Sequence, residues 1–304
     1  MWNVSEIQVL KKYFSSSQSR SLPPINPLMF KTFTSLFSSI SPTHFHPSFP
    51  SQHHLKLLSK QQTGLASFLL KFSAPPNSSN LPVPTSVKLI IGNQVKSYSP
   101  TNLPAEKLTN SITVPATTID LLVKPYASSP NPSFSRTLCS LEVGESLPFL
   151  IKPNRVIHGQ EFIPDGRWDN IFLIGGGTGV APLIQMARKL VRSNGSKAVE
   201  FFSINSSTDD HLMRCELDVL VDESGGGFSC HYTSAESAVE LFKRAAAKLD
   251  TRQSRQVFVC GSDGFVEYWA GGIVRDKQTN KKIQGDVGGV LGECGYAPQE
   301  VYKF

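Results

Sequence analysis

The stretch NIFLIGGGTGVAPLIQMARKLVR, residues 170–192, constrains the fold of this chain more than any other segment. Its apolar run Ile171–Ile174 has the length and composition of a buried parallel strand. The glycine-rich segment Gly175–Gly179 follows, and Pro182 stands where a helix would begin, a position at which its missing N–H does no harm. A strand, a glycine loop and a helix N-terminus together form an anion cradle, because free backbone N–H groups point at the ligand. The stretch therefore predicts an α/β domain that can bind a pyrophosphate.

The chain after Asp169 alternates apolar runs with helical patterns. Strands are predicted at Ile171–Ile174, Val199–Ile204, Phe228–Thr233, Val257–Cys260 and Val301–Phe304. Helices are predicted at Leu183–Val191, Asp210–Val221 with Thr208 or Asp209 as cap, Ala235–Leu249 capped by Ser234, and around Phe265–Ala270. Such a series predicts a doubly wound, mostly parallel sheet, whose ligands bind beyond the carboxyl ends of its strands. Three segments lie there: Gly175–Gly179, Asn205–Ser207 and Cys260–Gly261.

Short apolar runs separated by turn residues fill the preceding hundred residues or so. Strands are predicted at Leu55–Ser59, Ala66–Phe72, Val87–Ile91, Thr118–Lys124 and Leu147–Ile151. Evenly spaced short strands of this kind predict a small antiparallel barrel. With 304 residues the chain has room for about two domains. We therefore expect a targeting or disordered segment at 1–52, a barrel domain at 53–164 and an α/β domain at 165–304.

The net charge of +6 is distributed unevenly along the chain. Residues 1–105 contain nine Lys or Arg and one acid, whereas residues 106–304 contain 21 basic and 23 acidic residues. The body of the chain is thus nearly neutral, which argues against a nucleic-acid groove. Residues 1–52 are basic, Ser-rich and poor in acids, as mitochondrial transit peptides are. The alternative for this segment is a disordered tail.

The sequence does not indicate metal or disulfide chemistry. Four histidines lie in a Pro- and Ser-rich stretch without carboxylate or thiol neighbours, so we expect them to be solvated: His44, His46, His53 and His54. The five cysteines form no CxxC or CxxH pattern, and their odd number predicts reduced thiols. No run of about 18 or more apolar residues is present, so no transmembrane helix is predicted.

The motif GGGTGVAP, residues 175–182, resembles the pyridine-nucleotide loop of the ferredoxin-reductase and cytochrome b5 reductase superfamily. In that loop GGTG is followed by a small residue and Pro, and proline replaces the third glycine of the standard fingerprint. A barrel followed by a nucleotide-binding sheet is also the layout of this family. The resemblance implies an antiparallel β-barrel FAD domain followed by an α/β doubly wound parallel-sheet NAD domain. It assigns the NADH pyrophosphate to Gly176, Gly177, Thr178, Gly179 and Pro182.

The segment Lys96-Ser97-Tyr98-Ser99-Pro100 resembles the family's flavin signature, Arg-x-Tyr-Thr/Ser-Pro. The resemblance implies that Lys96 meets the FAD pyrophosphate, that Tyr98 packs on the isoalloxazine and that Ser99 reaches a flavin ring nitrogen. Lysine is a point charge and arginine a bidentate fork, so we expect phosphate binding with looser geometry. The alternative is an ordinary turn after a strand.

Two further segments resemble flavin-binding parts of the family. Val123-Lys124-Pro125-Tyr126 is similar to a barrel strand ending Val-Lys-x-Tyr, which implies that Val123, Lys124 and Tyr126 line the flavin and its ribityl chain. Phe134–Leu138 is similar to the segment in which a serine at a helix start holds FAD phosphate, a role that falls to Ser135. The family has Gly just before this segment, where the chain has Pro132-Ser133.

The segment Cys260-Gly261-Ser262-Asp263-Gly264-Phe265 resembles the family's Cys-Gly-Pro-Pro-x-Met element. The resemblance puts Cys260 and Gly261 beside the nicotinamide ring, although Ser262 and Asp263 replace the two prolines. By itself, a cysteine at a strand end is more often a core residue. The nicotinamide role and the flavin role of Ser99 make Cys260 and Ser99 the two candidate catalytic residues.

The segment after the second strand of the α/β series is where the adenosine ribose is expected. Asn205 is the predicted contact there, and Asp209 and Asp210 would repel a 2′-phosphate. NADH is therefore favoured over NADPH.

Together the motifs imply an oxidoreductase in which NADH delivers hydride to FAD, and electrons then pass to a haem protein such as cytochrome b5 or a mitochondrial c-type partner. The tail, 285–292 and 301–304, resembles one branch of the family, the fungal mitochondrial flavoprotein that assists haem attachment to cytochrome c. An assembly factor is therefore one alternative, and a structural homologue without flavin is another. We expect mitochondrial localisation, at the inner membrane or in the intermembrane space, with peripheral membrane association through the N-terminus. Tyr302 or Phe304 stacks on flavin or, as is more common, simply ends the last strand.

Overall fold

A six-stranded antiparallel sheet and a five-stranded parallel sheet organise the part of the chain that the structure, a computed structural model, describes. The described residues are 53–75, 83–103, 107–108, 112–113, 118–126, 133–151, 157–158, 162, 167–193, 198–207, 210–249, 252–278 and 282–304. His53–Ile91 and Val95–Phe304 belong to one compact unit. The predicted targeting segment, 1–52, and the predicted domain boundary at 164–165 lie outside the described residues. So do Thr208 and Asp209.

The antiparallel sheet has the strand order β4-β3-β8-β1-β2-β7. Its strands are β1 (His53–Thr63), β2 (Ser67–Ser73), β3 (Val87–Ile91), β4 (Gln94–Tyr98), β7 (Thr118–Val123) and β8 (Ser146–Ile151). A short hairpin of β5 (Lys107–Leu108) and β6 (Ile112–Thr113) precedes β7, and helix α1 (Phe134–Ser140) precedes β8. The expected barrel strands are all present. The sequence patterns missed β4 and the hairpin, because β4 is largely exposed and the hairpin strands are two residues long.

The two edge strands of this sheet meet at Pro100. This residue, two positions after β4, forms an antiparallel bridge to Leu121 on β7, and the N–H of Thr101 donates to the carbonyl of Asp120 at 2.7 Å. Because β4 and β7 are the two edges, the bridge closes the sheet into a barrel. The turn at Tyr98 and Ser99 is therefore fixed at the seam of the barrel.

Strand β7 buries both of its faces. Ile119, Leu121 and Val123 pack inside the barrel, whereas Leu122 belongs to the hydrophobic core of the parallel sheet. Side chains alternate between the faces of a strand, so one strand contributes to both cores. The barrel is thereby joined to the second domain through apolar contact.

The parallel sheet has the order β11-β10-β9-β12-β15. Its strands are β9 (Asn170–Gly176), β10 (Ala198–Asn205), β11 (Phe228–Ser234), β12 (Arg255–Cys260) and β15 (Val301–Lys303). The helices are α2 (Val180–Val191), α3 (Arg214–Glu223), α4 (Ala235–Ala246), α5 (Asp263–Ala270) and α6 (Gly289–Glu293), and β13 (Val274–Arg275) pairs with β14 (Lys282–Ile283). Helices pack on both faces, as predicted for a doubly wound sheet. The strand order reverses between β9 and β12, which is where such sheets bind ligands.

Several predicted helix boundaries were wrong. Helix α2 begins at Val180, two residues before Pro182; this is tolerated because the first N–H groups of a helix have no intrahelical partner. Helix α3 begins at Arg214 and not at Asp210, since Met213 at its N-cap has φ 60°. Helix α4 ends at Ala246, and β13, β14 and α6 were not predicted. In the described part of the chain, none of the helices has both the length and the apolar character needed to span a bilayer.

Candidate functional site

A cavity of about 730 Å³ lies between the barrel and the carboxyl edge of the parallel sheet. Tyr98 and Ser99 line it from the barrel, Gly176–Gly179 from the loop after β9, and Cys260 from the end of β12. Segments that are far apart in sequence therefore share one crevice. Of the residues predicted at the site, these line the cavity: Lys96, Tyr98, Ser99, Lys124, Tyr126, Ser135, Gly176, Gly177, Thr178, Gly179, Pro182, Asn205, Cys260 and Gly261.

Two residues predicted at the site are not part of this lining. Val123 is 1% exposed and packs in the barrel core. Pro100 is buried at the barrel seam, where its carbonyl accepts a hydrogen bond from Gln185 at 2.6 Å. Both residues therefore lie in the barrel behind the residues that line the cavity.

The glycines of the nucleotide loop serve different purposes. Gly177 has φ +54°, and a β-carbon built on it would meet no heavy atom within 4 Å. A β-carbon on Gly176 would lie 2.6 Å from the ring of Phe265, and one on Gly179 would lie 2.3 Å from the carbonyl oxygen of Cys260. Gly177 therefore provides a left-handed turn beside open space, and the other two allow close packing. The open side of Gly177 suits a pyrophosphate.

Helix α2 starts directly after this loop with an uncapped N-terminus. Its N-cap residue, Gly179, makes no side-chain hydrogen bond to the first turn. The Val180 N–H donates to the Gly177 and Thr178 carbonyls, and the positive end of the helix dipole favours an anion at this position. Lys96 and Lys124 add positive charge to the cavity lining. The site as a whole thus fits a ligand that carries phosphate.

Asn205, at the end of β10, presents an unsatisfied amide to the cavity. It is 6% exposed, and its Nδ2 atom has no hydrogen-bond partner within the described part of the chain. Leaving a buried donor unpaired costs about 1–3 kcal/mol, so a ligand oxygen at this point would relieve the penalty. A ribose hydroxyl or an adenine nitrogen can supply that acceptor.

Asp210 lines the cavity and also holds the turn between β1 and β2. Its Oδ1 accepts the backbone N–H of Leu65 at 2.7 Å, and a β-carbon on Gly64 would lie 2.0 Å from the same oxygen. The carboxylate thus joins the α/β domain to the barrel, a role that the sequence did not suggest. Asp209, the second acid expected near the ribose, is outside the described residues.

Tyr98 stacks on Phe134, with ring centroids 6.1 Å apart and an interplanar angle of 26°. Burial, assisted by the nearby Cys139 and Tyr126, raises the pKa of Tyr98 well above its usual value. Its phenol therefore stays protonated at neutral pH and offers an uncharged aromatic surface to the cavity. Burial also raises the pKa of Cys139 to about 11.

Ser133 and Ser135 fix the chain after β7. The Ser135 hydroxyl accepts the N–H of Tyr126 at 3.0 Å, and the Ser133 hydroxyl donates to the Tyr126 carbonyl at 2.5 Å. Ser133 also caps α1 by accepting the N–H of Arg136. The Ser135 proton stays available for the neighbouring serine, 3.2 Å away, or for a ligand. Pro132, where the related motif has Gly, is outside the described residues.

The segment after β12 starts a helix without the two prolines of the related motif. Ser262 is the N-cap of α5, and its hydroxyl accepts the N–H of Phe265 at 3.3 Å. The Phe265 ring fills the space against Gly176 and Gly261, where a β-carbon on either residue would meet it at 2.5–2.6 Å. A serine cap thus starts the helix in place of proline, and Cys260 stays on the lining.

Sequence reasoning missed several lining residues. Leu122, Phe134 and Phe265 line the cavity, and the signal for Leu122 was the apolar run Leu121–Val123 at the end of β7. The tail forms the expected last strand, β15, which ends at Lys303. Phe304 follows it and lines the cavity, and its N–H donates to the Val259 carbonyl. Tyr302 packs instead against the described rings of His158 and Phe258.

The described part of the chain thus combines a closed antiparallel barrel with a five-stranded doubly wound sheet, and the cavity lies between them. Residues 173–270 match the family model of the oxidoreductase NAD-binding domain. This match covers β9 to α5, the part of the sheet that carries the glycine loop and Cys260.

In sequence the chain is similar to fungal NADH-cytochrome b5 reductases. It is 30% identical over 203 residues to NADH-cytochrome b5 reductase 2 of Coccidioides immitis, which covers 61% of this chain and 57% of the relative. It is also 30% identical over 196 residues to NADH-cytochrome b5 reductase 2-A of Vanderwaltozyma polyspora, covering 61% and 62% of the two chains. The chain thus spans less than two thirds of the length of these relatives.

Solved structures share the fold at lower identity. The CS-b5R domains of human Ncb5or superpose with a TM-score of 0.58 and 19% identity, over 83% of this chain and 69% of that one. The cytochrome b5 reductase domain of Ulva prolifera nitrate reductase gives 0.57 and 19%, over 83% and 97%. A flavohemoglobin from Malassezia yamatoensis with bound FAD and heme gives 0.57 and 15%, over 83% and 59%.

Proposed function

We propose that this protein is an FAD-dependent oxidoreductase that takes hydride from NADH and passes electrons to a haem protein. The observation that carries the proposal is the shared cavity: the Tyr98-Ser99 turn and the Gly176–Gly179 loop line the same space. A reaction between two nucleotide cofactors needs their reactive rings in contact, and such a cavity allows it. The similarity to the fungal NADH-cytochrome b5 reductases supports the same reading.

On the barrel side, the residues bind and orient the first cofactor. Lys96 and Lys124 supply positive charge for the phosphates of FAD, and Ser135 supplies a hydroxyl. Tyr98, held against Phe134, offers a neutral aromatic face to the flavin ring. Ser99, next to Tyr98 on the cavity lining, would offer its hydroxyl to a flavin ring nitrogen. Because Pro100 closes the barrel seam, this turn is held rigidly.

On the sheet side, the residues bind and orient NADH. The N-terminus of α2 and the open turn at Gly177 receive the pyrophosphate, with Thr178 beside them. Asn205 donates its unpaired amide to the adenosine half. Cys260, a small polarizable side chain at the end of β12, would lie beside the nicotinamide.

When bound, NADH supplies the hydride, and the flavin supplies the conversion of a two-electron donor into single-electron steps. The protein contributes positioning, electrostatics and exclusion of water. Leu122, Phe134 and Phe304 provide apolar surface around the cavity. No acid–base residue is required for this role, and the assignment of Ser99 and Cys260 as catalytic residues rests on the motif resemblance and on their place in the cavity lining.

The acceptor and the location are part of the proposal. Cytochrome b5 as the haem acceptor is supported by the names of the fungal relatives, and a mitochondrial c-type partner is proposed from the resemblance of the tail, 285–292 and 301–304. The basic, acid-poor segment 1–52 supports mitochondrial targeting with peripheral association at a membrane. Imaging of a fluorescent fusion with and without residues 1–52 tests the location. A cytosolic signal from both fusions would overturn the proposal of mitochondrial targeting.

A visible spectrum recorded anaerobically before and after NADH tests the activity. We expect flavin absorbance in the purified or FAD-loaded protein, bleaching by NADH, and slower bleaching by NADPH. Added cytochrome b5 should then be reduced in stopped flow. Lys96→Met should weaken FAD binding, and Lys88→Met, on β3 outside the cavity lining, is the matched control. A protein that stays colourless with excess FAD would overturn the proposal and favour a structural homologue without flavin.

The second candidate is a flavoprotein assembly factor for mitochondrial cytochrome c haem attachment. The tail resemblance favours it, as does the replacement of two prolines by Ser262 and Asp263. Here flavin would bind, but reduction of cytochrome b5 would be slow, and the protein would capture apocytochrome c. Fast reduction of cytochrome b5 supports the enzyme instead.

A further inference from the structure

Gln185, on the second turn of α2, is wholly buried at the junction of the two domains. It is 0% exposed. Its Oε1 accepts the backbone N–H of Thr85 at 2.8 Å, and its Nε2 donates to the carbonyls of Thr85 at 3.1 Å and Pro100 at 2.6 Å. One side chain of the α/β domain is therefore paired entirely with the backbone of the barrel.

These contacts join the two walls of the cavity by a short path. Pro100 directly follows Ser99, and the helix that carries Gln185 begins at the glycine loop, with Pro182 on the lining. Pro100 also bridges to Leu121, so Gln185 forms its hydrogen bond at the seam of the barrel. A displacement at Gln185 would thus move the Tyr98-Ser99 turn relative to the glycine loop.

The contact geometry requires an amide. Two backbone carbonyls accept from Nε2 while one backbone N–H donates to Oε1. A carboxylate would bring oxygen against both carbonyls, and a thioether would leave three buried backbone groups without a partner. Glutamine therefore pairs with all three backbone groups, whereas glutamate or methionine, which are of similar length, does not.

The neighbouring side chains Arg188 and Lys189 provide a comparison. Arg188 donates to the carbonyl of Thr101, and Lys189 donates to the carbonyl of Phe162 at 2.8 Å. Both side chains tie α2 to the preceding part of the chain, but neither lines the cavity. They serve the domain junction without reaching the residue next to Ser99.

We propose that Gln185 is a positioning residue that sets how the flavin side of the cavity faces the nicotinamide side. The inference rests on the proposed function and deepens it. Gln185 touches neither cofactor; it acts through Pro100 and Thr85 on the Tyr98-Ser99 turn. Its loss should therefore leave the binding of each cofactor nearly intact and impair the contact between their rings.

The test compares Gln185→Met with Arg188→Met in the FAD-loaded full chain. For Gln185→Met we expect dissociation constants for FAD and NAD+ within about threefold of wild type, and hydride transfer at saturating NADH slowed by about tenfold to a hundredfold. The long-wavelength charge-transfer absorbance that reports stacking of the two rings should fall, and the isotope effect with 4-deuterated NADH should change. Arg188→Met should lower the unfolding temperature of the apoprotein without these changes.

Equal hydride-transfer rates, absorbance and isotope effects in wild type and Gln185→Met would overturn the inference, as would the same losses in Arg188→Met. If Gln185→Met does not fold, Gln185→Glu takes its place. The introduced carboxyl can donate one hydrogen bond when protonated, so its hydride-transfer rate should recover as pH falls. A pH profile identical to that of wild type would overturn the inference. Absence of flavin reduction in the wild type would show instead that the proposed function itself has failed.

Discussion

A β-carbon added to Gly179 would lie 2.3 Å from the carbonyl oxygen of Cys260 and 2.7 Å from the Cα atom of Gly261. The loop after β9 thus touches the loop after β12 backbone to backbone. No side chain fits between them unless one loop moves. The contact fixes Thr178 and Cys260, two residues assigned to NADH, relative to each other.

The substitution Gly179→Ala should therefore damage the NADH side of the site. We expect the free energy of unfolding to fall by about 1–3 kcal/mol, the usual cost of overpacking, and KM for NADH to rise. FAD binding should persist, since the barrel side is untouched. Chemical denaturation of the apoprotein and steady-state kinetics measure the two effects.

Gly264→Ala is the matched control for this prediction. Gly264 lies in α5 on the same side of the site, and its β-carbon position has no heavy atom within 4 Å. Alanine there should be neutral or stabilise the helix by up to about 1 kcal/mol. Equal behaviour of the two variants would contradict the close contact.

Substitutions of Asp210 should separate its structural role from its charge. Asp210→Ala removes the acceptor of the Leu65 N–H, so the free energy of unfolding should fall by about 1.5–3 kcal/mol. Asp210→Asn keeps an acceptor oxygen and loses the negative charge, so it should stay close to wild type in stability. Its kcat/KM for NADPH relative to NADH should rise severalfold, because a 2′-phosphate is no longer repelled. An unchanged preference for NADH would show that other residues discriminate against NADPH.

The thiols should differ in their response to NAD+. Cys260 lines the cavity, and Cys215 is exposed on α3. At a nucleotide concentration about ten times its dissociation constant, alkylation of Cys260 should slow about tenfold, because only free protein reacts. Alkylation of Cys215 should not change. Cys230, whose pKa burial raises to about 12, should react slowly with or without nucleotide. Peptide mass spectrometry after timed labelling gives each rate, and equal protection of Cys215 and Cys260 would contradict the assignment.

Local patterns predicted most of the fold. Strand β9 of the parallel sheet contains the continuous apolar run Ile171–Ile174, and four of the six residues of the barrel strand β7 are apolar, so both strands were visible in sequence. Strand β4 was missed because it is mostly exposed, although the motif on it, Lys96 to Pro100, was identified. Chemistry-bearing motifs thus located a segment whose hydrophobic pattern did not.

Long-range contacts account for what the sequence did not reveal. Asp210 was predicted to start a helix, but its carboxylate binds Leu65, 145 positions away, and α3 begins only at Arg214. Gln185 was not singled out in the sequence, because the backbone groups that it contacts belong to Thr85 and Pro100, 100 and 85 positions earlier. A polar residue within an otherwise apolar helical face was the available signal for Gln185.

Stability at acid pH should depend on a carboxylate far from the cavity. Glu200 on β10 lies 2.5 Å from Nε2 of His231 on β11. Burial alone would raise the pKa of Glu200, but the hydrogen bond and charge of His231, together with smaller contributions from Ser229 and Lys248, outweigh it, so the pKa lies below its usual value. A carboxyl whose pKa is lower in the folded state than in the unfolded state stabilises the fold above its unfolded pKa, and that stabilisation is lost as pH falls through the folded pKa. The free energy of unfolding should therefore drop as pH is lowered below about 4.5.

Urea titrations between neutral and acid pH measure this drop. Glu200→Gln and His231→Asn should both make the drop shallower, whereas Glu267→Gln, at an exposed position of α5, should leave it unchanged. A drop of the same steepness in all four proteins would show that the pair does not contribute.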